Sequence, residues 1–460
     1  MSIIKSYIVP HPPMIIENIG KGREKEIQKT IDSYQEVAKE IKDIKPETIV
    51  IISPHTTMYS DWFHIISKEE ITGNLKEYDC DISFEEKNDK ELIEALNEIV
   101  KEKDFPATLI KKGKQELDHA EMIPLHFIEK EYNDFQLVVI GISGLNLLKH
   151  YELGMYLKEA IEKTNRKVVL IASGDLSHTL KEDGPYGYKE EGPIYEKEIE
   201  SIIKEGNLDK LMDYSNTTLE KIGDCGHRAF TILSGCYDKE EIKTKVYSHE
   251  DITGVGYLVG TIEAIKEDKE RDFLNQKIEK EKERIKKIKE KEDNYIKLAR
   301  EAIENQVNGI ETKKKSFFRK NHNGCFVTIY EYHQLRGCIG TYLAQYNSIE
   351  EEIIENAKAA ATKDPRFSKI TKEELDTLEI HVDILKKPQL AKSIYEFDPK
   401  KYGILVLTNE KSGLLLPNIE GVEDVEEQLH IALKKGNIDE KEPYLMYKFE
   451  VERHEIKENV

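Results

Sequence analysis

The chain has 460 residues, 34% of them charged, and a formal charge of −20. That length exceeds what one hydrophobic core organises, so two domains are expected, and so acidic a surface repels phosphate backbones, which argues against general nucleic-acid binding. Five cysteines without a Cys-x-x-Cys pair argue against a disulfide framework or zinc knuckle, and with no basic-then-apolar leader and no run near the ~20 apolar residues of a membrane span, a soluble, cytoplasmic protein with no membrane partner is expected.

The first segment, SIIKSYIVP, alternates as a strand does and ends just before His11, which Pro12 pushes towards extended backbone. Residues 22–43 place Ile27, Ile31, Tyr34, Val37 and Ile41 at helical spacing with charges between them, which predicts an amphipathic crossover helix. A buried strand follows at Thr48–Ile52, and Pro54 constrains the turn before His55. A second amphipathic helix is predicted over 88–104. Leu117-Asp118-His119 then precedes AEMIPLHFI, an apolar segment interrupted by Pro124, and LVVIGISG at 137–144 reads as a third buried strand. A helix near 151–163 leads to VVLIASGDLSH at 168–178. Its β-branched run reads as a parallel strand broken by Gly174 and Asp175, so that His178 emerges past the C-terminal end. EDGPYGYKEEGPIY, rich in Gly, Pro and Tyr, reads either as a loop over that edge or as a plain surface excursion. Asp224-Cys225-Gly226-His227-Arg228 opens an apolar helix, AFTILSGC, and VGYLVGTIEAI closes the sheet near 265.

Strands alternating with helices predict an α/β domain over 1–265, with a mainly parallel sheet in three layers. From 266 to 293 the composition turns abruptly to Lys and Glu at i,i+4 spacing, a charged helical linker. A second, smaller α+β domain is placed at 294–460. It holds the helix NYIKLAREAIENQV, two strands in CFVTIYEYHQLRGCIGTYLA, the helix SIEEEIIENAKAAATKD with its DPRF turn, the strands LEIHVDIL, GILVLTN and GLLLP, the helix VEDVEEQLHIALKKG, and a last strand, YLMYKFEVERHEI.

Open α/β sheets keep their chemistry beyond the C-terminal ends of the strands, and His11, His55 and His178 each follow a strand. Neutral imidazoles are common metal ligands. Two of them with a carboxylate leave positions open for a substrate and dioxygen on non-haem Fe(II), whereas three or four without a carboxylate suit Zn or Cu equally well. His64, His126, His150 and His249 read as hydrogen-bonded scaffold, and Cys80, Cys236 and Cys325 as structural residues. Asp224 has a rival reading as a cap on the helix behind it, and Cys225 as a small buried hydrophobe. In the second domain Arg336 and Cys338 read either as a cation-activated thiol or as a glycine-flanked turn with the thiol in the core. Asp364-Pro365-Arg366 reads as a turn after a helix, with Arg366 as an anion binder the lesser account.

Five strings in order, VPHPPM, IISPHT, LDHAEMIPL, SGDLSH and DCGHRAF, resemble the LigB superfamily of class III extradiol dioxygenases and its Memo-like branch. From about 294 to 455, FVTIYEYHQLRGCIGTY, AAATKDPRF, LEIHVDIL and GLLLP resemble the AMMECR1 domain, LRGCIG being the more specific string. The whole chain is similar to the fused "AmmeMemoRadiSam system" proteins, which are associated by family with a radical SAM partner. The resemblance implies that His11 and His55 are the two imidazole ligands of a metal and that His119 is a second pocket histidine. It puts His178 where the dioxygenases have an acid/base residue and Memo-like proteins a third ligand. The Asp224-Cys225 neighbourhood matches the carboxylate position, where the dioxygenases carry Glu and the Memo-like proteins Cys. The expectations are therefore a metal on His11, His55, His178, Asp224 and Cys225, with catalytic work at His178 and His119. Fe(II) is the expected ion, with Zn or Cu as alternatives, and the expected substrate is a small catechol-like molecule opened with dioxygen. The alternative is a metal-binding scaffold whose AMMECR1 domain recruits a radical SAM protein, and a homo-oligomer is a further expectation.

Overall fold

The computed structural model describes residues 2–109, 111, 113–314, 323–419 and 421–457, so the last three positions of the expected second domain lie outside the described residues. The chain divides into two compact units, Met1–Lys277 and Ile278–Val460.

The first unit runs β1 (Ile3–Val9), α1 (Glu17–Gly20), α2 (Gln28–Ile44), β2 (Thr48–Ser53), β3 (Phe63–Ile65), β4 (Glu70–Asn74), β5 (Ser83–Lys87), α3 (Lys90–Glu102), β6 (Ala107–Leu109), α4 (His119–Ile128), β7 (Gln136–Gly141), α5 (Leu147–Thr164), β8 (Val168–Ser173), α6 (Glu191–Glu205), α7 (Asn216–Ile222), α8 (His227–Gly235), β9 (Glu240–Glu250) and β10 (Tyr257–Glu267). Eight strands form one sheet in the order β6-β3-β7-β2-β8-β1-β10-β9, with β4 and β5 in a separate hairpin. Its centre, β7-β2-β8-β1, is parallel, while β10 and β9 are added antiparallel.

β2 and β8 are buried at every position, as parallel strands covered on both faces must be. Their side chains alternate between two cores. Val50, Ile52, Leu170 and Ala172 pack with α3, α5 and α8, and Ile49, Ile51, Val169 and Ile171 with α2 and α4. Ile52 pairs with Ala172, and Val9 with Ser173. The C-terminal ends of three neighbouring strands, β2, β8 and β1, are therefore level, and each hands its next residues to the same edge.

The structure departs from the expected elements in three places. AEMIPLHFI is helical, as part of α4, with Pro124 inside the helix; the proline masked a segment whose burial on nearly every side overrides its propensity. GPIY belongs to α6 rather than to a loop, because Pro193 falls in the first turn, where no intrahelical N–H is required. The charged segment at 266–293 is not a solvated tether: β10 runs to Glu267, a helix α9 spans Phe273–Lys291, the division at 277/278 falls within it, and Leu274, Ile285 and Ile288 are buried.

The second unit continues with α10 (Asn294–Asn308), β11 (Cys325–Glu331), β12 (Gln334–Gly340), α11 (Ile349–Thr362), β13 (Leu378–Leu385), β14 (Gln389–Ala391), β15 (Gly403–Leu407), β16 (Ser412–Leu415), α12 (Val425–Lys435), β17 (Leu445–Phe449) and β18 (Val451–His454). One antiparallel sheet has the order β12-β11-β13-β18 and is covered by α10 and α11 over Val327, Ile329, Ile380 and Val382. The other, β14-β17-β15-β16, packs against α12. No described helix is long and apolar enough to cross a membrane.

Two glycines let α5 and α8 cross at backbone distance. A Cβ on Gly154 would stand 1.9 Å from the Ile232 carbonyl oxygen, and one on Gly235 would stand 1.9 Å from that of Tyr151. Gly235→Ala is therefore expected to cost about 1–3 kcal/mol through overpacking. Urea denaturation followed by the fluorescence of Trp62, the one tryptophan of the chain, reads this unit.

Candidate metal centre

His11 and His55 each lie two residues past the end of their strand, and His119 is the first residue of α4. The level strand ends and the helix terminus bring the three rings together, with centres 4.9 Å apart for His11 and His55, 5.3 Å for His11 and His119, and 4.4 Å for His55 and His119. One nitrogen from each lies within 4.8 Å of the others. His11 also belongs to a second group of possible ligand atoms, with Asp175 and Cys225. The Cys225 sulfur is 3.4 Å from His11 Nε2 and accepts the Asp175 backbone N–H at 3.2 Å, while Asp175 Oδ1 accepts the His11 backbone N–H at 2.8 Å. Cys225 reaches this place because two backbones touch: a Cβ on Gly174 would stand 2.1 Å from the Cα of Gly226.

The electrostatics favour neutral donors. Burial, reinforced by the neighbouring imidazoles, holds His11 well below the ordinary histidine range and lowers His55 to about 4. Burial likewise pushes Asp175 up to about 7 and the Cys225 thiol well above its usual value. Such a set of nitrogen, sulfur and oxygen donors fits a transition-metal cation, which would draw the proton off the thiol.

Asp118 stands behind two of the rings. Its Oδ1 lies 2.5 Å from His119 Nδ1 and 3.5 Å from His55 Nδ1, and its other oxygen pairs with the Lys114 ammonium. Burial alone would raise this carboxylate, but the hydrogen bonds from His119 and Lys114 outweigh it and keep it ionised. Tyr78 adds its hydroxyl 3.2 Å from His119 Nδ1.

The expected ligand set is revised at two positions. His178 enters neither ligand group. Its buried Nε2 lies 4.0 Å from Asp175 Oδ2 without a hydrogen-bond partner, burial lowers it to about 4, and the ring of Tyr186 from the Tyr-rich loop covers it at 4.8 Å. Asp224 is not at the centre either. Its Oδ2 accepts the first-turn N–H of His227 at 2.8 Å, which is the capping role, and burial raises it to about 6. The carboxylate that does reach His11 is Asp175, which sequence reasoning treated only as a strand breaker; its position two residues beyond β8, as with His11 and His55 beyond theirs, was the available signal. Asp118 was overlooked for want of any pattern beyond its adjacency to His119.

The scaffold histidines are placed as read. His150 accepts the Ser143 N–H and bonds the Asn146 carbonyl, His249 pairs with Glu196 at 2.6 Å, and His64 bonds Gln115 at 2.8 Å. In the second unit the activated-thiol account of Arg336 and Cys338 gives way to the structural one. Arg336 spends its guanidinium on Glu374 at 2.5 Å and on the Ser368 carbonyl at 2.8 Å, while burial pushes the Cys338 thiol up. Asp364 accepts the Cys338 backbone N–H at 2.8 Å, and Arg366, paired to Asp364, donates to the Cys338 carbonyl at 3.3 Å.

Comparison with known proteins matches the family described as catalytic LigB subunit of aromatic ring-opening dioxygenase to residues 5–260, and AMMECR1 to residues 296–457. Protein CA_C1420 of Clostridium acetobutylicum is 38% identical over 472 residues, covering 99% of each chain. A Thermotoga maritima protein is 50% identical over 137 residues, 29% of this chain and 79% of its own. The 2-aminophenol 1,6-dioxygenase beta subunit of a Pseudomonas species is 22% identical over 290 residues, 56% of this chain and 92% of its own.

If Asp224 works as a cap, Asp224→Ala lowers unfolding stability by about 1 kcal/mol and Asp224→Asn, which keeps an acceptor oxygen, lowers it far less; urea midpoints of the two variants make the comparison.

Proposed function

The chain belongs to the LigB family of catalytic subunits of aromatic ring-opening dioxygenases and carries an AMMECR1 domain behind that module, and from this premise we propose that it is a metal-dependent, extradiol-type dioxygenase acting on a small catechol-like or aminophenol-like aromatic. The observation that carries the reading is the convergence of His11, His55 and His119 on one spot, with Cys225 and Asp175 beside His11. Fe(II) is the proposed ion, and Zn or Cu, which the sulfur of Cys225 suits, are the alternatives. Bound there, Fe(II) would supply Lewis acidity and open positions at which an ortho-diol and dioxygen meet.

The chain's own residues do the remaining work. His11 and His55 stay neutral at physiological pH and keep lone pairs available. His178, uncharged and unpartnered at Nε2, is placed to take a substrate hydroxyl proton and later return it. Tyr186 covers the His178 ring and limits the access of water to that proton. A second reading is favoured by one contact, the Cys225 sulfur 3.4 Å from His11 Nε2: a Memo-like metal-binding scaffold whose AMMECR1 domain recruits a partner such as a radical SAM protein.

Protein purified without oxygen should contain near-stoichiometric metal. His11→Ala and His55→Ala are expected to lose it, and Asp224→Asn to retain it. The same preparations should consume oxygen with catechol or 2-aminophenol, measured with an oxygen electrode; metal-loaded protein inert towards both compounds moves the assignment to the scaffold reading.

A further inference from the structure

On the metal-centre reading, an imidazole binds a cation only through a ring nitrogen that carries a lone pair, so the hydrogen has to sit on the other nitrogen. The hydrogen bond on the other nitrogen decides the matter.

His11 is tied to Pro124 of α4 through two hydrogen bonds. A helix normally satisfies the carbonyl of residue 120 with the N–H of residue 124, but proline has none. The Ala120 carbonyl instead accepts the hydroxyl proton of Ser173 at 2.6 Å. A serine has one such proton, so Ser173 Oγ meets His11 Nδ1, 2.9 Å away, with a lone pair. Nδ1 of His11 therefore carries the hydrogen, and its Nε2, which faces Cys225, carries the lone pair.

We infer that α4, through the Ala120 carbonyl that Pro124 leaves open to Ser173, imposes the Nδ1–H tautomer on His11 and so presents its Nε2 lone pair, beside the Cys225 sulfur, to a cation. Pro124 and Ser173 are positioning residues in this scheme. An in-helix proline, a residue type otherwise costly at that position, becomes part of how the centre is built.

The test uses the full chain labelled with 15N-histidine, stripped of metal and kept anaerobic, with long-range 1H–15N correlation reading the tautomer of each ring. The expected result is Nδ1–H for His11; an Nε2–H form as the main species there overturns the inference. A second arm titrates Co(II) followed by its absorption spectrum. Ser173→Ala should bind Co(II) about 10–100-fold more weakly. Pro124→Ala gives the Ala120 carbonyl an intrahelical partner, frees the Ser173 proton, and should populate the second tautomer at His11 alone. Variants that keep both the parent tautomers and the parent affinity overturn the inference. Wild-type protein that shows Nδ1–H at His11 but takes up no metal sinks the metal reading and leaves the tautomer assignment supported.

Discussion

Three imidazole rings with centres 4.4 to 5.3 Å apart crowd one edge of the sheet, where burial and the neighbouring rings hold His11 and His55 below the ordinary histidine range. Much of the first unit follows from that constraint. The rings come from separate parts of the chain, so their spacing depends on β2, β8 and β1 ending level, which in turn depends on the parallel register of fully buried strands. The carboxylates nearby are handled in opposite ways. Asp118 stays ionised because it has hydrogen-bond donors on two sides, and Asp175, with one backbone donor from His11, is pushed towards its neutral form.

The parts of this arrangement that rest on hydrophobic pattern were legible in the sequence. TIVIIS and VVLIAS are unbroken apolar runs, and a strand buried on both faces leaves that trace. His55 follows the first of these and His11 the alternating strand SIIKSYIVP, so their meeting at one edge could be anticipated. The parts that rest on single hydrogen bonds were not legible. Whether Asp224 or Asp175 faces the pocket depends on which one a helix terminus claims, and the spacing of DCGH fits either outcome. Pro124 concealed α4, since a proline within an apolar run reads as an interruption until the neighbouring hydroxyl that replaces its missing donor is seen. The Lys- and Glu-rich stretch after 265 misled for another reason: a few isoleucines, Ile285 and Ile288 among them, are enough to bury one stripe of a helix that is otherwise charged.

In the second unit, LRGCIG draws notice for its arginine and cysteine, yet each residue is accounted for by packing. Arg336 ties down the segment that carries Ser368 and Glu374, Gly337 leaves room for the Ala360 carbonyl, which a Cβ would approach to 2.4 Å, and the Cys338 sulfur rests on Thr328 at 3.3 Å. The chemistry proposed for the chain therefore lies in the first unit, and the second offers a built surface rather than a reactive thiol.

Among the described residues β12 is the outermost strand of its sheet, and a bare outer strand invites another chain to zip alongside it. At Cys338 that invitation is withdrawn. The amide hydrogen is taken by the Asp364 carboxylate and the carbonyl oxygen by the Arg366 guanidinium, so a carboxylate and a guanidinium from one short turn imitate the donor and acceptor of a missing neighbour. A sheet finished in this way has no unfilled rung there for an intruding peptide, and the border stays closed to growth without the chain having to supply a further strand.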